Sequence, residues 1–325
     1  MKITAGMGSV DDYARYADAG ADELFCGYVP ESWSHRYGLA LPLNRREVRY
    51  ANVQLGARSE LLILADQVAR RGVPVTLTLN SLYYTPEQYP LLGELISQCM
   101  TDGFRSFIIA DPALLLWLHV QGLDREAQLH ISGEMGEVNH AALSLLGRLG
   151  AQRIIFHRKM TLNDMAACTA WAQAQSGGMP TEFEAFALNE LCHFHGAFCS
   201  SLHCDELTHM CRVPYVLGGV RAPLSQPDRM PDASDPTALG ASGCGLCALW
   251  RMQHAGITHL KLVGRGNLSD LMVRDIAALR LAADLAAQSS DEQTYLSVMK
   301  KELFPTGCPG ACYYLGEFGT SVGNK

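Results

Sequence analysis

Residues 74–110 read PVTLTLNSLYYTPEQYPLLGELISQCMTDGFRSFIIA: a short β-branched apolar run, a longer helical pattern and a second apolar run. The runs Pro74–Asn80 and Ser106–Ala110 have the length and composition of strands. Between them, Pro86–Asp102 predicts a helix that ends before Gly103. Two strands joined through a helix pair in parallel, because the helix supplies the crossover that parallel pairing requires. The stretch therefore predicts one βαβ unit.

The same alternation extends along most of the chain. The predicted strands are Lys2–Gly6, Glu23–Gly27, Pro74–Asn80, Ser106–Ala110, Gln128–Ser132, Arg153–His157, Glu182–Ala187 and His259–Val263. The predicted helices are Val10–Ala19, Ser59–Arg71, Pro86–Asp102, Ala113–Gln121, Glu137–Leu149, Leu162–Gln175 and Asp270–Ala287. Glycines precede several strands, namely Gly20, Gly72, Gly103, Gly150 and Gly256. Eight strands in alternation with helices predict an α/β fold, a (β/α)₈ TIM-type barrel.

A doubly wound open sheet is the alternative fold. The chain has neither a G-x-G-x-x-G motif nor a Walker-type phosphate loop, which weakens a nucleotide-binding interpretation of that alternative. We predict a barrel over residues 1–290, with a Cys/His-rich insertion at 191–243 after the seventh predicted strand. Residues 291–325 are predicted as a C-terminal helix and a short cysteine-containing extension. The insertion begins at the carboxyl end of a strand, where barrels carry their functional groups.

Composition indicates a globular chain without a strong charge field. The 325 residues are 48% hydrophobic and carry a formal net charge of −7, which argues mildly against a nucleic-acid binder. No stretch approaches the ~18 apolar residues of a membrane span, and no apolar run at the start has signal-peptide length. We therefore expect a cytoplasmic protein, in which the eleven cysteines are thiols, ligands or catalytic groups. Cys26, Cys99 and Cys168 lie in apolar surroundings and are predicted to be buried.

The segment 192–211, CHFHGAFCSSLHCDELTHMC, holds four cysteines and four histidines in twenty residues. Thiolates and imidazoles at this density are typical metal ligands, so we predict a metal or iron–sulfur site. Cys192, Cys199 and Cys211 are the first candidate ligands. The fourth ligand stays open between Cys204, the C-x2-C pair at Cys244 and Cys247, and the tail pair at Cys308 and Cys312. Zinc in a structural site is the alternative to an iron–sulfur cluster.

Charged residues fall at the predicted strand ends, where a barrel would direct them to its mouth: Glu134, Arg158, Glu190 and Arg265. An arginine there can hold a carboxylate substrate through two hydrogen bonds. Alternatively, these residues pair with one another across the rim. Glu182 and Glu184 share a face of the seventh predicted strand, and the alternative to a catalytic role is that one buried carboxylate simply pairs with Arg265. The motifs G-x-S-x-G and H-E-x-x-H are absent, although a cysteine nucleophile with a histidine base is possible within His193–Cys199.

The sequence resembles the peptidase U32 (collagenase-like) family along most of its length. The opening TAGMGSVDDYARYADAGADELFCG and the segments FIIADPALL, LHISGEMGEVN and RIIFHRKMTLNDM are similar to the corresponding family segments. The most specific match, EAFALNELCHFHGAFC, aligns Glu184, Cys192 and Cys199 with the family pattern. MCRVPY aligns Cys211. CGLCALWRMQHAGITHLKLVGR aligns Cys244 and Arg265, whereas the first cysteine of the family's C-x3-C falls on Leu207 and the glutamate of its last strand on Val263.

The resemblance implies an iron–sulfur barrel enzyme like the family's oxygen-independent hydroxylases. A [4Fe–4S] cluster would be held by Cys192, Cys199, Cys211 and Cys244, with Cys247 or Cys204 as the alternative fourth ligand. The implied reaction is hydroxylation of a small aromatic, quinone-type or RNA substrate, with prephenate as a possible oxygen donor. Arg158, Arg265 and Glu184 are the candidate catalytic residues.

Two other functions remain open at this point. One is the cysteine- or metal-dependent peptidase that the family name describes. The other is a non-catalytic zinc or iron–sulfur subunit of a hetero-oligomer, since relatives act with a homologous partner subunit. Among substrates, the acidic composition favours a small anionic or aromatic molecule over RNA.

Overall fold

Eight parallel strands close into a barrel in which β1 pairs with both β2 and β9. The strands are β1 (Lys2–Gly6), β2 (Glu23–Tyr28), β3 (Gln54–Leu55), β4 (Val75–Leu79), β5 (Ser106–Ile109), β6 (Gln128–Ile131), β7 (Ala151–Ile155), β8 (Glu182–Leu188) and β9 (His259–Leu262). The ring runs β1-β2-β4-β5-β6-β7-β8-β9, and β3 pairs with the end of β2 outside it. The computed structural model describes residues 1–38, 40–45, 53–136, 138–175, 177–192, 235 and 237–314.

The closed ring confirms the predicted (β/α)₈ barrel and excludes the open sheet. All eight predicted strands form, with ends that differ by at most two residues. The short β3 was not predicted, because two residues are too few to show an alternating pattern. The seventh and eighth predicted strands are β8 and β9.

Helices cover the outside of the ring. They are α1 (Asp12–Asp18), α2 (Glu31–Tyr37), α3 (Arg58–Arg71), α4 (Tyr89–Thr101), α5 (Pro112–Gln121), α6 (His140–Arg148), α7 (Leu162–Gln173), α8 (Leu249–His254), α9 (Ser269–Gln288) and α10 (Glu292–Leu303). The sequence pattern missed the short helices α2 and α8. It also started α6 too early, because Asn139 caps that helix by accepting a hydrogen bond from the Ala142 amide at 3.0 Å.

Glycine and capping signals act as the sequence predicted. The five glycines before strands all have positive φ, between 77° for Gly72 and 107° for Gly20, a backbone region that other residues avoid. Thr161 caps α7 by accepting a hydrogen bond from the Asp164 amide at 3.1 Å. The five glycines end the segments that lead into β2, β4, β5, β7 and β9.

The core is continuous from the barrel interior to the inner faces of the helices. Cys26, Cys99 and Cys168 are buried in it, as predicted. Within the described ranges, no helix is long and apolar enough to cross a membrane. The predicted insertion lies mostly outside the described residues, and the predicted domain boundary near residue 290 stays a prediction.

Candidate active site

A network of buried charges fills the amino-terminal half of the barrel. Arg153 on β7 donates to Glu23 at 2.6 and 2.9 Å, to Glu182 at 2.7 and 2.9 Å and to Glu184 at 3.1 Å. His259 Nε2 on β9 lies 3.2 Å from Glu23 Oε1. Buried charges are stable only when they are paired, and here one guanidinium serves three carboxylates. The network therefore fixes four strands to one another at the floor of the barrel.

Glu184 connects this floor to the upper half of the barrel. Its other carboxylate oxygen accepts a hydrogen bond from Lys261 Nζ at 2.6 Å, and the side chain is fully buried. Burial by itself raises the pKa of Glu184, but the Lys261 and Arg153 charges outweigh burial and hold that pKa below its usual value. The alternative pairing of a β8 carboxylate with Arg265 is absent among the described ion pairs, in which Arg153 and Lys261 bind both carboxylates.

A cavity of about 130 Å³ opens at the carboxyl end of the strands, and we call it the mouth cavity. Its ionisable lining residues are Arg45, Glu134, Arg158, Glu190, Cys192, Lys261 and Arg265. Four of these side chains are cationic and two are acidic. The described part of the mouth cavity thus has an excess of positive charge, which favours an anionic ligand.

Arg158, after β7, is held rigidly in this cavity. Its Nη1 donates to Glu134 at 2.6 Å, and its guanidinium lies over the ring of Phe186 with 4.0 Å to the centroid. Its Nε is buried without a hydrogen-bond partner among the described residues, and so is the Nε of Arg45. The pairing of Arg158 with Glu134 is the rim alternative that the sequence left open. It orients the guanidinium without satisfying all its donors.

Arg265 and Lys261 come from β9 and the turn that follows it. Arg265 Nη1 donates to Thr78 Oγ1 on β4 at 3.1 Å, so the guanidinium reaches across the barrel mouth. Lys261 Nζ lies 4.0 Å from the centroid of the Phe25 ring while it binds Glu184. Burial lowers the pKa of Lys261 against the opposing attraction of Glu184. The two cations share one aromatic neighbour, since Arg265 is also 5.9 Å from the Phe25 centroid.

A left-handed turn after β8 carries Glu190 and Cys192 into the cavity lining. Asn189 and Glu190 have φ of 67° and 54°, which non-glycine residues adopt rarely. The turn is held by an antiparallel partner, since the Asn189 and Leu191 amides donate to Gly243 and Ser242 carbonyls at 2.8 and 2.7 Å. Backbone strain of this kind is common at functional sites.

The sequence found three of the cationic and thiol groups at this site and missed two. Arg158, Arg265 and Cys192 were predicted, whereas Lys261 and Arg45 were not. Lys261 lies inside the apolar strand segment THLKLV, and a buried strand contains a lysine only when a partner neutralises its charge. This unusual position was the sequence signal that could have identified Lys261. Glu184 was assigned to the site but lies beneath it, where it anchors Lys261. His130, on β6, is a buried packing residue.

The proposed iron–sulfur ligands are only partly described. Cys199, Cys211 and Cys204, with the histidines of the 192–211 segment, lie outside the described residues. Cys192 lines the mouth cavity and interacts electrostatically with Arg158, so a negatively charged thiolate centre there would have a neighbouring cation. The Cys192 position therefore fits a cluster ligand.

Cys244 has a different neighbourhood from Cys192. It is buried, it is not part of the cavity lining, and the thiols that affect its pKa are Cys308, Cys247 and Cys312. Among the described residues, no three His, Cys, Asp or Glu side chains are already arranged about a common metal position. The described thiols are thus not gathered about one metal position, and the assignment of the fourth ligand stays a prediction.

One known protein family matches most of this chain. The model of peptidase family U32 matches residues 8–313. The chain belongs to peptidase family U32. Family membership confirms the resemblance seen in the sequence, and the family's name denotes an enzyme. No curated protein matches the chain.

Several solved structures are similar to the U32 chain. The U32 peptidase Mk0906 is 14% identical, with 57% of this chain and 68% of that chain covered and a TM-score of 0.41. A structure described as native KDPGal is 12% identical, with coverage of 89% and 97% and a TM-score of 0.44. Phosphoribosyl anthranilate isomerase from Thermus thermophilus is 11% identical, with coverage of 87% and 99% and a TM-score of 0.42.

Proposed function

We propose that this U32 chain is a redox enzyme that binds a small anionic, aromatic or quinone-type substrate in the mouth cavity. The observation that carries the proposal is the convergence of Arg158, Arg265 and Lys261 on one cavity whose rim holds the Cys192 thiol. A cavity near 130 Å³ is close to the ~150 Å³ that accommodates a single benzene ring, which favours a small substrate over a polymer.

Several side chains of the mouth cavity contribute to substrate binding, each in a different way. Arg158 is oriented by Glu134 and by the Phe186 face, so its guanidinium can meet a carboxylate with little loss of side-chain freedom. Arg265 approaches the same space from the opposite strands through Thr78. Phe25 and Phe186 offer apolar faces to the ring of an aromatic acid. Lys261 adds positive charge from below, because Glu184 holds it against the cavity floor.

The resemblance to oxygen-independent hydroxylases supports the reaction class. In the net reaction, an oxygen atom passes from an organic donor to a substrate carbon, so that a C–H bond becomes C–OH. The substrate is oxidised by two electrons and the donor is reduced by two. A [4Fe–4S] cluster, when bound, would supply one-electron transfer, and Cys192, Cys199 and Cys211 would hold it with a fourth ligand from Cys244, Cys247 or Cys204.

Anaerobic purification with iron and sulfide analysis tests the cofactor. We expect iron and sulfide in the full-length chain, an electron paramagnetic resonance signal after reduction, and loss of both in Cys192→Ser. Cys99→Ser is the matched control, because Cys99 is a buried core thiol away from the mouth. A chain that contains no iron after anaerobic reconstitution would overturn the cofactor assignment.

Calorimetric titration with prephenate tests the anion site separately. We expect Arg158→Lys to weaken binding roughly 10- to 100-fold, about 1.4–2.8 kcal/mol, because lysine keeps the charge but loses the planar pair of donors. Arg70→Lys, an exposed arginine on α3, should bind like the wild type. Equal affinity of Arg158→Lys and wild type would remove Arg158 from the site.

The family name favours a second candidate function, peptide hydrolysis. It predicts cleavage of a peptide substrate by the iron-free chain, and loss of that cleavage in Cys192→Ser or on metal chelation. Iron and sulfide analysis distinguishes the two functions, because only the redox proposal requires iron and sulfide.

A further inference from the structure

Lys261 places a primary amine inside the mouth cavity. It lies on β9, the residue is 6% exposed, and its side chain is part of the cavity lining. Nζ donates to Glu184 Oε1 at 2.6 Å and lies 4.0 Å from the centroid of the Phe25 ring. Lysine is seldom buried to this extent, because its ammonium is strongly hydrated. Lys261 therefore lies between a buried carboxylate and the space in which a ligand would bind.

The groups around this amine suit a small molecule that carries a carboxylate. Arg158 and Arg265 line the same cavity, and the Arg265 guanidinium is 5.9 Å from the centroid of the Phe25 ring that Lys261 also contacts. Gly6 makes room for this arrangement, because a Cβ there would lie 2.9 Å from the Phe25 ring and 3.2 Å from Arg265 Cγ. A guanidinium holds a carboxylate through two hydrogen bonds. A carboxylate bound by Arg265 would thus lie close to the Lys261 amine.

The surroundings of Lys261 also favour the neutral amine that a nucleophile requires. Burial lowers the pKa of Lys261, Glu184 opposes this effect, and the Arg153 and Arg158 charges add to the lowering, so the pKa stays below its usual value. Glu184 can accept the ammonium proton along a hydrogen bond that is already formed. Desolvation and neighbouring cations are the means by which lysines become nucleophiles toward carbonyl compounds. The position of Lys261 in the cavity and the adjacent proton acceptor give it both requirements of such a group.

We propose that Lys261 is a nucleophile that captures the keto group of a small 2-oxo acid as an imine in the mouth cavity. The ammonium proton passes to Glu184, and the Nζ lone pair forms a bond to the keto carbon while the keto oxygen takes up a proton from the nitrogen. Protonated Glu184 then gives its proton to the hydroxyl of this carbinolamine, the C–O bond breaks, and water leaves. The nitrogen lone pair completes the C=N bond. The capture is a dehydration, so it requires neither an oxidant nor a reductant.

A 2-oxo acid fits this cavity better than a simple ketone or a plain carboxylic acid. Its carboxylate and its keto carbon are adjacent, so both can reach their partners at the same time, the arginines for the first and Lys261 for the second. The cavity volume of about 130 Å³ admits only a small ligand. The inference rests on the anion-binding part of the proposed function, but the imine forms without the Cys192 thiol and without an iron–sulfur cluster.

Reductive trapping with pyruvate tests the inference on the full-length chain. Sodium cyanoborohydride reduces an imine to a stable secondary amine, which peptide mass spectrometry then locates. We expect a pyruvate adduct on Lys261, formed at a rate that saturates as the pyruvate concentration rises. Acetone, which has the ketone without the carboxylate, should label Lys261 at least ~10-fold more slowly at equal concentration, because it makes no charge-assisted hydrogen bond to the arginines. Lys261→Arg should form no adduct at this position, and Lys159→Arg, which changes an exposed lysine, is the matched control that should label like the wild type.

The wild-type result decides the inference even if Lys261→Arg fails to fold. A wild type without an adduct on Lys261, labelling of Lys261 no faster than of the exposed Lys159, or equal labelling by acetone and pyruvate would each overturn it. The iron content of the same sample separates the inference from the proposed function. An adduct on a chain that never contains iron would support the imine and count against the redox proposal alone. An iron-containing chain without an adduct would overturn the imine and leave the redox proposal in place.

Discussion

Replacement of Arg153 by methionine should destabilise the barrel strongly, because it removes the cation that serves three carboxylates. Arg153 is 2% exposed, and Glu23 and Glu184 are 7% and 0% exposed, so water cannot take over its hydrogen bonds. Removal of one partner of a buried ion pair costs about 3–5 kcal/mol. At roughly 2.1 cal/mol/K per residue, a 325-residue chain unfolds with an entropy of about 0.7 kcal/mol/K. The melting temperature should fall by roughly 4–7 °C.

Lowering the pH should reduce the difference in stability between the wild type and Arg153→Met. The pKa values of Glu23 and Glu184 are held low in the folded protein: burial raises them, but the cations around each carboxylate outweigh burial. Their pairing therefore stabilises the wild type fully above the unfolded value of about 4.3, and the stabilisation is lost as the pH falls through the folded values. In the variant the carboxylates can take up protons near or above pH 4.3, which relieves the buried charge.

Calorimetry of wild type and Arg153→Met at pH 7 and pH 4.5 measures both effects. Arg70→Met is the matched control: its side chain is 75% exposed and its salt bridge is to Asp66 on the same helix, so we expect a change within about 0.5 kcal/mol. Addition of Glu23→Gln to Arg153→Met should recover part of the loss. If Arg153→Met melts like Arg70→Met, or if its deficit does not depend on pH, the network does not stabilise the barrel as argued.

Three other substitutions test the fold. Burial, followed by the Arg153 charge, lowers the pKa of His130 to about 3, so between that value and about pH 6.5 only the unfolded chain takes up a proton at this residue. Urea unfolding between pH 6.5 and 5 should therefore show that His130→Gln loses less stability than the wild type, by up to about 2 kcal/mol. Equal loss of unfolding free energy in the two proteins would contradict this. Gly147→Ala should lower the free energy of unfolding by about 1–3 kcal/mol in thermal melting, because the new Cβ would lie 2.1 Å from the Gly178 carbonyl oxygen. Gly56→Ala is the control, since a Cβ at Gly56 meets open space and should not lower the stability. Tyr313→Phe loses its hydrogen bond to the β8 turn, so limited proteolysis should cut the tail faster than in wild type, and an unchanged rate would count against that anchoring role.

Local sequence patterns predicted the fold well because most βα units of the barrel repeat the same kinds of sequence signal. Apolar runs, helical spacing and a left-handed glycine recur along the chain, so the sequence predicted all eight strands of the ring. The errors came from elements too short to show a period, such as β3 and α2. They came also from long-range pairing: nothing local shows that Arg153 serves Glu23, 130 residues away along the chain.

The candidate site was predictable only where chemistry and position coincide. Arg158 and Arg265 stand directly after strands, so the barrel rule alone assigned them to the mouth. The cysteines gave less information, because sequence cannot tell which pairs meet. Cys244 aligns with a family ligand, yet its neighbours in the fold are Cys247 and the tail cysteines, which only the return of the tail beside β8 brings together.

The shared guanidinium at the barrel floor restricts how this protein can diverge. Loss of Arg153 alone leaves Glu23 and Glu184 without their shared cation, and loss of Glu184 alone leaves the Lys261 ammonium without its carboxylate partner. Related barrels should therefore exchange these positions together, as an all-charged or an all-apolar set. Substitutions that cross between the two sets one at a time should be rare among natural variants.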